Sequence, residues 1–364
     1  MIKTSAIKTT NIPTLSVVWD TGRRCNYDCS YCEATRHNNF SKPKPFEEFK
    51  KTFDFIKDWA GIYNLRRKNP SNPGISFTGG EPTANPNFWK LIDYIRSFPE
   101  HYYLSLTTNG AWDKKYSKKI IENFGGVTVS YHAEADETLK KNVIRNIKEL
   151  AQSTINLQVN VMLHVDYWDE TVQVYKDLKE QGIICNLRPI GDGSIVRKGW
   201  FIDTDGTNRR TSHEYTIEQQ TWFWKEMGLK EIPTNVSEGN QLGRKCCGNI
   251  PLEGKVDGNW QPIKLIDTHF KNWHCMVDWF FLYIDQETQN VYHHQTCKAF
   301  YDNTTGPIGN LTNSDQMLSE LKERLSEPVI KSIVCPNTRC GCGMCVPKAQ
   351  TLEDFKILQE SIIL

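Results

Sequence analysis

The sequence contains no apolar run approaching the ~18 residues that a membrane-crossing helix needs. Its first residues, Met-Ile-Lys-Thr-Ser, lack the apolar core of a secretory signal. It also lacks an excess of charge of either sign. With 44 Lys and Arg against 43 Asp and Glu, no field gathers nucleic acid or an acidic membrane face. A cytoplasmic protein with no nucleic-acid and no membrane partner is therefore expected. Apolar residues are not scarce: at 38% they can build a core, and 364 residues exceed what one core usually serves. One large unit plus a smaller one is the expectation.

What is abundant is cysteine, twelve residues in all. In a reducing compartment they do not pair as disulfides, so metal or cluster ligation should occupy most of them. The densest stretch is Cys25-Asn26-Tyr27-Asp28-Cys29-Ser30-Tyr31-Cys32, directly after a short apolar strand, Leu15 to Trp19. Three thiols in eight residues wrap one face of a compact metal centre but cannot close a tetrahedral site alone. Soft thiolates select zinc, copper(I) or iron-sulfur clusters. A zinc knuckle would need a fourth ligand, and the nearest candidate, His37, lies in a polar Arg-His-Asn-Asn run that reads as loop. A 4Fe-4S cube held by three Cys instead leaves one iron open.

The CxxxCxxC spacing, with aromatic Tyr31 before the last Cys, resembles the cluster loop of the radical SAM enzymes. The resemblance implies that Cys25, Cys29 and Cys32 are the catalytic cluster ligands. It further implies that the open iron chelates S-adenosylmethionine (SAM), whose reductive cleavage gives a 5'-deoxyadenosyl radical.

The first half of the chain alternates short β runs with amphipathic helices. Strands are expected at Leu15 to Asp20, Gly74 to Thr78, Tyr103 to Thr108, Val127 to His132, Ile155 to Leu163 and Ile183 to Arg188. Between them, apolar residues recur at helical spacing, as in Phe46, Phe49, Phe53, Ile56 and Trp59 after Pro45. Six strand-helix repeats imply a parallel sheet with right-handed crossovers. The strands have one aliphatic and one mainly polar face: Ile155, Leu157, Val159, Val161 and Leu163 oppose Asn156, Gln158, Asn160 and Met162. A closed eight-stranded barrel fills its interior with aliphatic side chains, so an incomplete, wider barrel with a polar lumen fits better. The expected fold is α/β, a partial (β/α)6 barrel over residues 1–190, which is also what the resemblance implies.

In such folds chemistry gathers at the C-terminal strand ends. The second strand ends Thr78-Gly79-Gly80-Glu81-Pro82, where paired glycines let a ligand approach the backbone. This run resembles the family's GGE motif, which implies that Gly79, Gly80 and Glu81 meet the SAM amino group. Thr107-Thr108-Asn109-Gly110 resembles the strand-three TNG element, placing Thr108 and Asn109 in the same site. By the same resemblance Tyr31 and Ser130 contact SAM. Asn160 and Arg188 share the lumen register, with Arg188 suited to a carboxylate. His132 is a weaker candidate, a lumen residue rather than a catalytic one.

After Pro189 the pattern breaks. Residues 191–273 read as an irregular insert or lid with one helix, Thr216 to Met227, and a Cys246-Cys247 pair whose use stays open. Aromatic Trp200, Trp222, Trp224 and Trp260 would serve core packing or a substrate pocket. Residues 274–364 restore order: Cys275 and Cys297 flank a hairpin, and Cys335, Cys340, Cys342 and Cys345 follow. This arrangement resembles the twitch extension, the shorter relative of the SPASM domain. The resemblance implies one auxiliary 4Fe-4S cluster on Cys275, Cys297, Cys342 and Cys345, with Cys335 and Cys340 as spares. The same four Cys would satisfy a zinc ribbon.

The expected function is hydrogen abstraction from an unactivated C-H bond, for oxidative modification of a peptide, protein or small molecule. The partners are that substrate and a one-electron donor such as flavodoxin or ferredoxin. No winged-helix-like recognition domain is expected before the first strand. The alternatives are a SAM-cleaving epimerase or isomerase with a structural auxiliary cluster, for which Cys185, Cys246 or Cys247 is a candidate hydrogen donor, and a non-enzymatic zinc scaffold.

Overall fold

The structure, a computed structural model, describes residues 4–9, 15–32, 37–190, 215–228, 252–263, 270–293, 306–327, 332–335 and 346–363. Six strands run parallel in chain order: β2 (Ser16–Asp20), β3 (Gly74–Thr78), β4 (Tyr103–Thr108), β5 (Gly126–Tyr131), β6 (Asn156–Leu163) and β7 (Cys185–Pro189). Helices α1 (Phe46–Asn64), α2 (Pro86–Arg96), α3 (Ser117–Asn123), α4 (Glu137–Ala151) and α5 (Trp168–Glu180) make the crossovers. Among the described residues, β7 ends the sheet and closes on no further strand, as a partial barrel requires.

Alternating burial explains why these segments are strands. Leu157, Val159, Val161 and Leu163 of β6 are buried under the helices, while Gln158, Asn160 and Met162 face the lumen half-exposed. The helix signals are equally physical. Pro86 at the first turn of α2 follows Asn85, whose side chain accepts the Asn87 N–H, and Asp136 caps α4 through Thr138 N–H. Trp19 sits at the centre of the packing, fully buried, with ring centroids 5.9 Å from Phe49 and 5.5 Å from Phe77. Its indole N–H donates to Gln286 Oε1 at 2.9 Å, which also accepts from Thr52 Oγ1 at 2.9 Å.

That contact reflects a feature the sequence pattern did not give. The expected hairpin forms, as β11 (Phe281–Asp285) and β12 (Asn290–Tyr292), yet β11 pairs in parallel with β2 on the side away from β3. β13 (Gly309–Asn310) adds a ninth strand to the same sheet. A second, wholly antiparallel sheet has the order β14-β10-β15-β1-β8-β9. Its strands are β1 (Thr4–Thr9), β8 (Leu252–Val256), β9 (Asn259–Ile263), β10 (His274–Cys275), β14 (Ile333–Val334) and β15 (Lys348–Ala349). The two sheets thus interleave residues from 1–190, 191–273 and 274–364.

Strand β1 precedes the first expected strand, and the β8–β9 hairpin adds strands to residues 191–273, where one helix is the regular element expected. The hairpin turn is Asp257-Gly258, both at positive φ (49° and 83°), the two-residue form that suits strand twist. The expected helix of the insert forms over Ile217–Glu226 with a Thr216/Gln219 capping box, and it buries Trp224 while Trp222 packs on Trp168. Trp200, Cys246, Cys247, Cys297, Cys340, Cys342 and Cys345 lie outside the described residues.

Candidate active site

The end of β2 and the end of β3 are zipped together by backbone. Thr21 N–H donates to Thr78 O at 2.8 Å, Gly80 N–H to Gly22 O at 2.8 Å, and Glu81 N–H to Arg24 O at 2.7 Å. The returning chain adds Cys25 N–H to Asn38 O at 2.8 Å and Asn38 N–H to Arg23 O at 2.9 Å. This frame presents the Cys loop at the C-terminal mouth of the parallel strands. Gly79 has φ +127°, and its missing Cβ would lie 2.7 Å from Asp20 Oδ1 and 2.8 Å from Gly22 O, so only glycine fits the approach.

A cavity of about 490 Å³ opens there. Cys25, Cys29, Tyr31 and Cys32 line it together with Gly79, Gly80, Thr108, Asn109, Ser130, Asn160 and Arg188. Register explains part of that convergence, because Ser130, Asn160 and Asn186 are directly paired across β5, β6 and β7. Asn160 Oδ1 accepts from Arg188 Nε and from Asn186 Nδ2, each at 3.3 Å, which fixes the guanidinium on the wall. Tyr27, His37, His132, Met162, Pro189 and Ile190 also line the cavity. Met162 shares the strand parity of Asn160 and was readable from it. His37, read as a loop residue, is in a loop but is buried in this wall.

Cys25 and Cys29 are buried and Cys32 half-buried. Burial pushes the Cys25 thiol up to about 12. A hydrogen bond with Cys32 and burial raise the Cys29 thiol too, so a cation is needed to hold either as thiolate. The loop is folded on itself: Tyr27 N–H points at Cys25 Sγ at 3.3 Å, and Cys32 N–H donates to Cys29 O at 3.1 Å. Asn109 Nδ2 donates to Asn26 Oδ1 at 2.6 Å and lies 4.0 Å from Cys25 Sγ. His132 Nδ1 is 3.6 Å from Cys29 Sγ and hydrogen-bonded with the Tyr31 hydroxyl, its ring held neutral by burial, which pushes it down to about 4. Among the described residues, no three His, Cys, Asp or Glu groups are close enough for a single metal ion. A cube makes a different demand, since its three thiolates bind three separate irons. The donor set, three soft sulfurs on one cavity wall, fits that group.

Glu81 is placed differently from the other expected site residues. It is 1% exposed and does not line the cavity. Its Oε1 accepts from Thr83 N–H (3.0 Å), Thr83 Oγ1 (2.6 Å) and Thr108 Oγ1 (2.8 Å), and its Oε2 from Asn109 N–H (2.6 Å). Burial pushes the carboxyl up against those bonds, which pull it down. Glu81 therefore ties the β3 end to the β4 end. Glu81→Ala should cost about 3 kcal/mol, because it orphans the buried Asn109 N–H and Thr108 hydroxyl while Glu81→Gln keeps an acceptor for one of them. Urea unfolding of the two variants checks this, and equal midpoints would refute it.

Ser30, in the Cys loop, is gripped by Glu134 just past β5. The hydrogen bonds from Ser30, together with His164 beside it, outweigh burial and hold the Glu134 carboxyl below its usual range. On the other side of the sheet, Cys185 is at the start of β7 and off the cavity wall, its thiol pushed up to about 11 by burial. In the antiparallel sheet Cys275 is opposite both Ile333 and Lys348, and Cys335 directly follows β14, its N–H donating to Trp273 O at 2.9 Å. Lys348 is buried, its ammonium 4.3 Å over the Phe270 ring.

The family profile described as the Radical SAM superfamily matches residues 19–193. This stretch is a radical SAM domain. The family's cofactors are a 4Fe-4S cluster and SAM. The domain is 29% identical over 178 residues to the 7,8-dihydro-6-hydroxymethylpterin dimethyltransferase of Methanocaldococcus jannaschii, covering 49% of this chain and 28% of that protein. It is 28% identical over 195 residues to a GTP 3',8-cyclase of Staphylococcus epidermidis, covering 51% of this chain and 53% of that protein. The chain thus spans about half or less of the curated relatives it matches. The solved structure "Native anSMEcpe with bound AdoMet" aligns at 18% identity and TM-score 0.48, over 85% of this chain and 80% of that one. Among the described residues, no helix is long and apolar enough to cross a membrane.

Proposed function

We infer that this chain is a radical SAM enzyme that cleaves SAM reductively and abstracts hydrogen from an unactivated C-H bond. The observation that carries the reading is the convergence of Cys25, Cys29 and Cys32 with Gly79, Gly80, Ser130, Asn160 and Arg188 on one cavity at the C-terminal strand ends. Cys25, Cys29 and Cys32 would hold the cluster, which supplies the electron and the open iron that SAM chelation needs. The chain's own contribution is placement. The glycine pair leaves room for a ligand against backbone, Tyr31 offers a ring held by His132, and Ser130 and Asn160 offer hydrogen-bonding groups. Arg188, fixed by Asn160, presents a cation for a carboxylate of SAM or substrate. Met162, Pro189 and Ile190 make part of the wall apolar and keep water from that side.

The substrate in this reading is a peptide, a protein or a small molecule, and the outcome a net oxidation fed by a one-electron donor such as flavodoxin or ferredoxin. Both curated relatives are named for small molecules, a pterin and GTP, which supports the small-molecule branch. The auxiliary cluster remains part of the proposal, with Cys275, Cys297, Cys342 and Cys345 as ligands in residues 274–364. Buried Lys348, opposite Cys275 across β15 and β10, supports Cys275 as a ligand, since a lysine cation suits an anionic thiolate cluster, and Cys335 and Cys340 stay spares. Residues 1–190 would act as the SAM-cleaving barrel and 191–273 as the insert beside it. The position of Cys185, off the cavity, removes support from it as a hydrogen donor.

The test is anaerobic reconstitution with iron and sulfide, reduction with dithionite, and chromatography for 5'-deoxyadenosine and methionine. Both products should appear, and only in the reduced, iron-loaded protein. Zinc in place of iron and intact SAM would overturn the reading in favour of the scaffold.

A further inference from the structure

The geometry points to Glu134 as a positioning residue that holds the Cys loop from outside the cavity and keeps the reduction potential of its cluster low, with His164 as its support. This rests on Cys25, Cys29 and Cys32 being the cluster ligands.

Ser30 is between the second and third thiols. Its backbone N–H donates to Glu134 Oε2 at 2.9 Å and its hydroxyl to Glu134 Oε1 at 2.6 Å. Two bonds to the two oxygens of one carboxylate fix the loop in orientation as well as distance. The carboxylate is itself anchored. His164, 3% exposed at the end of β6, brings its Nε2 to 3.1 Å from Glu134 Oε1. Asp166 N–H donates to His164 Nδ1 at 3.2 Å, which orients the ring with Nε2 on the Glu134 side. Tyr31 is stacked on His132 and next to His164, with centroids 5.9 Å away in each case. The Cys29–Cys32 turn is therefore braced against the ends of β5 and β6, the rigid part of the scaffold.

Glu134 is not among the residues that line the cavity. Its effect on the cluster runs through charge and hydrogen bonding. Net charge nearby and hydrogen bonds to the sulfurs set the potential of an iron-sulfur cluster. Glu134 acts on both. It brings a negative charge to the loop, and it engages the Ser30 N–H and hydroxyl, two donors next to Cys29 that would otherwise be free to turn to sulfur. Each effect disfavours the added electron, which leaves a reduced cluster with more driving force for cleaving a sulfonium.

Glu134→Gln keeps the shape and an acceptor oxygen but removes the charge. Anaerobic redox titration followed by EPR, read on the signal that changes when SAM is added, should show a more positive midpoint in Glu134→Gln at wild-type iron content. Glu134→Ala, which also releases Ser30, should shift it further and lower the iron retained after desalting. An unchanged midpoint in Glu134→Gln overturns the inference even if Glu134→Ala does not fold. Failure of the ligand reading looks different: the SAM-responsive signal would then persist when Cys25, Cys29 and Cys32 are replaced by Ala.

Discussion

Replacing Cys25, Cys29 and Cys32 together by Ala should lower the iron content from about eight to about four per chain and abolish SAM cleavage. The expectation follows from the wall these thiols share. Burial disfavours the thiolate at Cys25 and Cys29 unless a cation compensates, and among the described residues no three candidate ligands are grouped for a single ion. A cube meets the demand because it distributes the sulfurs over three irons. The remaining four iron would belong to the auxiliary cysteines, which the substitution leaves intact. Iron and acid-labile sulfide assayed after anaerobic reconstitution decide it. Eight iron in the variant would move both clusters elsewhere, and four in the wild type with none in the variant would leave the C-terminal thiols without a cluster.

The second large effect is expected at Gly80. A Cβ there would lie 2.4 Å from both Arg23 O and Arg24 O and 2.7 Å from Arg23 C. These are backbone atoms of the frame that carries Cys25, so no rotamer change relieves the clash. Gly80→Ala must separate the two strand ends, breaking the bonds from Gly80 N–H to Gly22 O and from Glu81 N–H to Arg24 O. The cost should be about 3 kcal/mol in urea unfolding, at the upper end for overpacking. SAM affinity measured by calorimetry on the reconstituted protein should fall at least about tenfold, the equivalent of ~1.4 kcal/mol. Gly22→Ala is the control. Its Cβ meets the flexible Lys44 side chain at 3.2 Å and the Glu287 carboxylate at 3.3 Å, and its φ of +112° costs about 1 kcal/mol or somewhat more. If Gly80→Ala behaved no worse than Gly22→Ala, the zipped frame would not be what sets the Cys loop.

The parallel strands were legible because each buries one aliphatic face under a helix, a pattern with period two that nothing else in a sequence imitates for long. The same pattern assigned Ser130, Asn160 and Arg188 to one face, and these residues line one cavity. Among the described side chains of β1, Thr-Ser-Ala-Ile-Lys-Thr, only Ala6 and Ile7 are fully buried, too little for periodicity to register. The β8–β9 hairpin did carry a signal, Asp257-Gly258, masked by the polar composition around it. Glu81 shows a harder limit. A motif gives a residue's place on the chain but not the direction of its side chain, and here the carboxylate turns away from the cavity to tie β3 to β4. The Ser30–Glu134 contact spans 104 residues and leaves no periodic trace, so only three-dimensional proximity reveals it.

The parallel pairing of β11 with β2 also governs the order in which the chain acquires its fold. β2 delivers the Cys loop, yet one of its two neighbours comes from residues 281–285, and Trp19 finds its hydrogen-bond partner only in Gln286. Until residues 281–285 have been made, one flank of β2 is without its backbone partners. Closing that flank joins segments more than 260 residues apart, the kind of non-local contact that slows folding. The strand that carries the Cys loop is thus completed only after about four-fifths of the chain has been made.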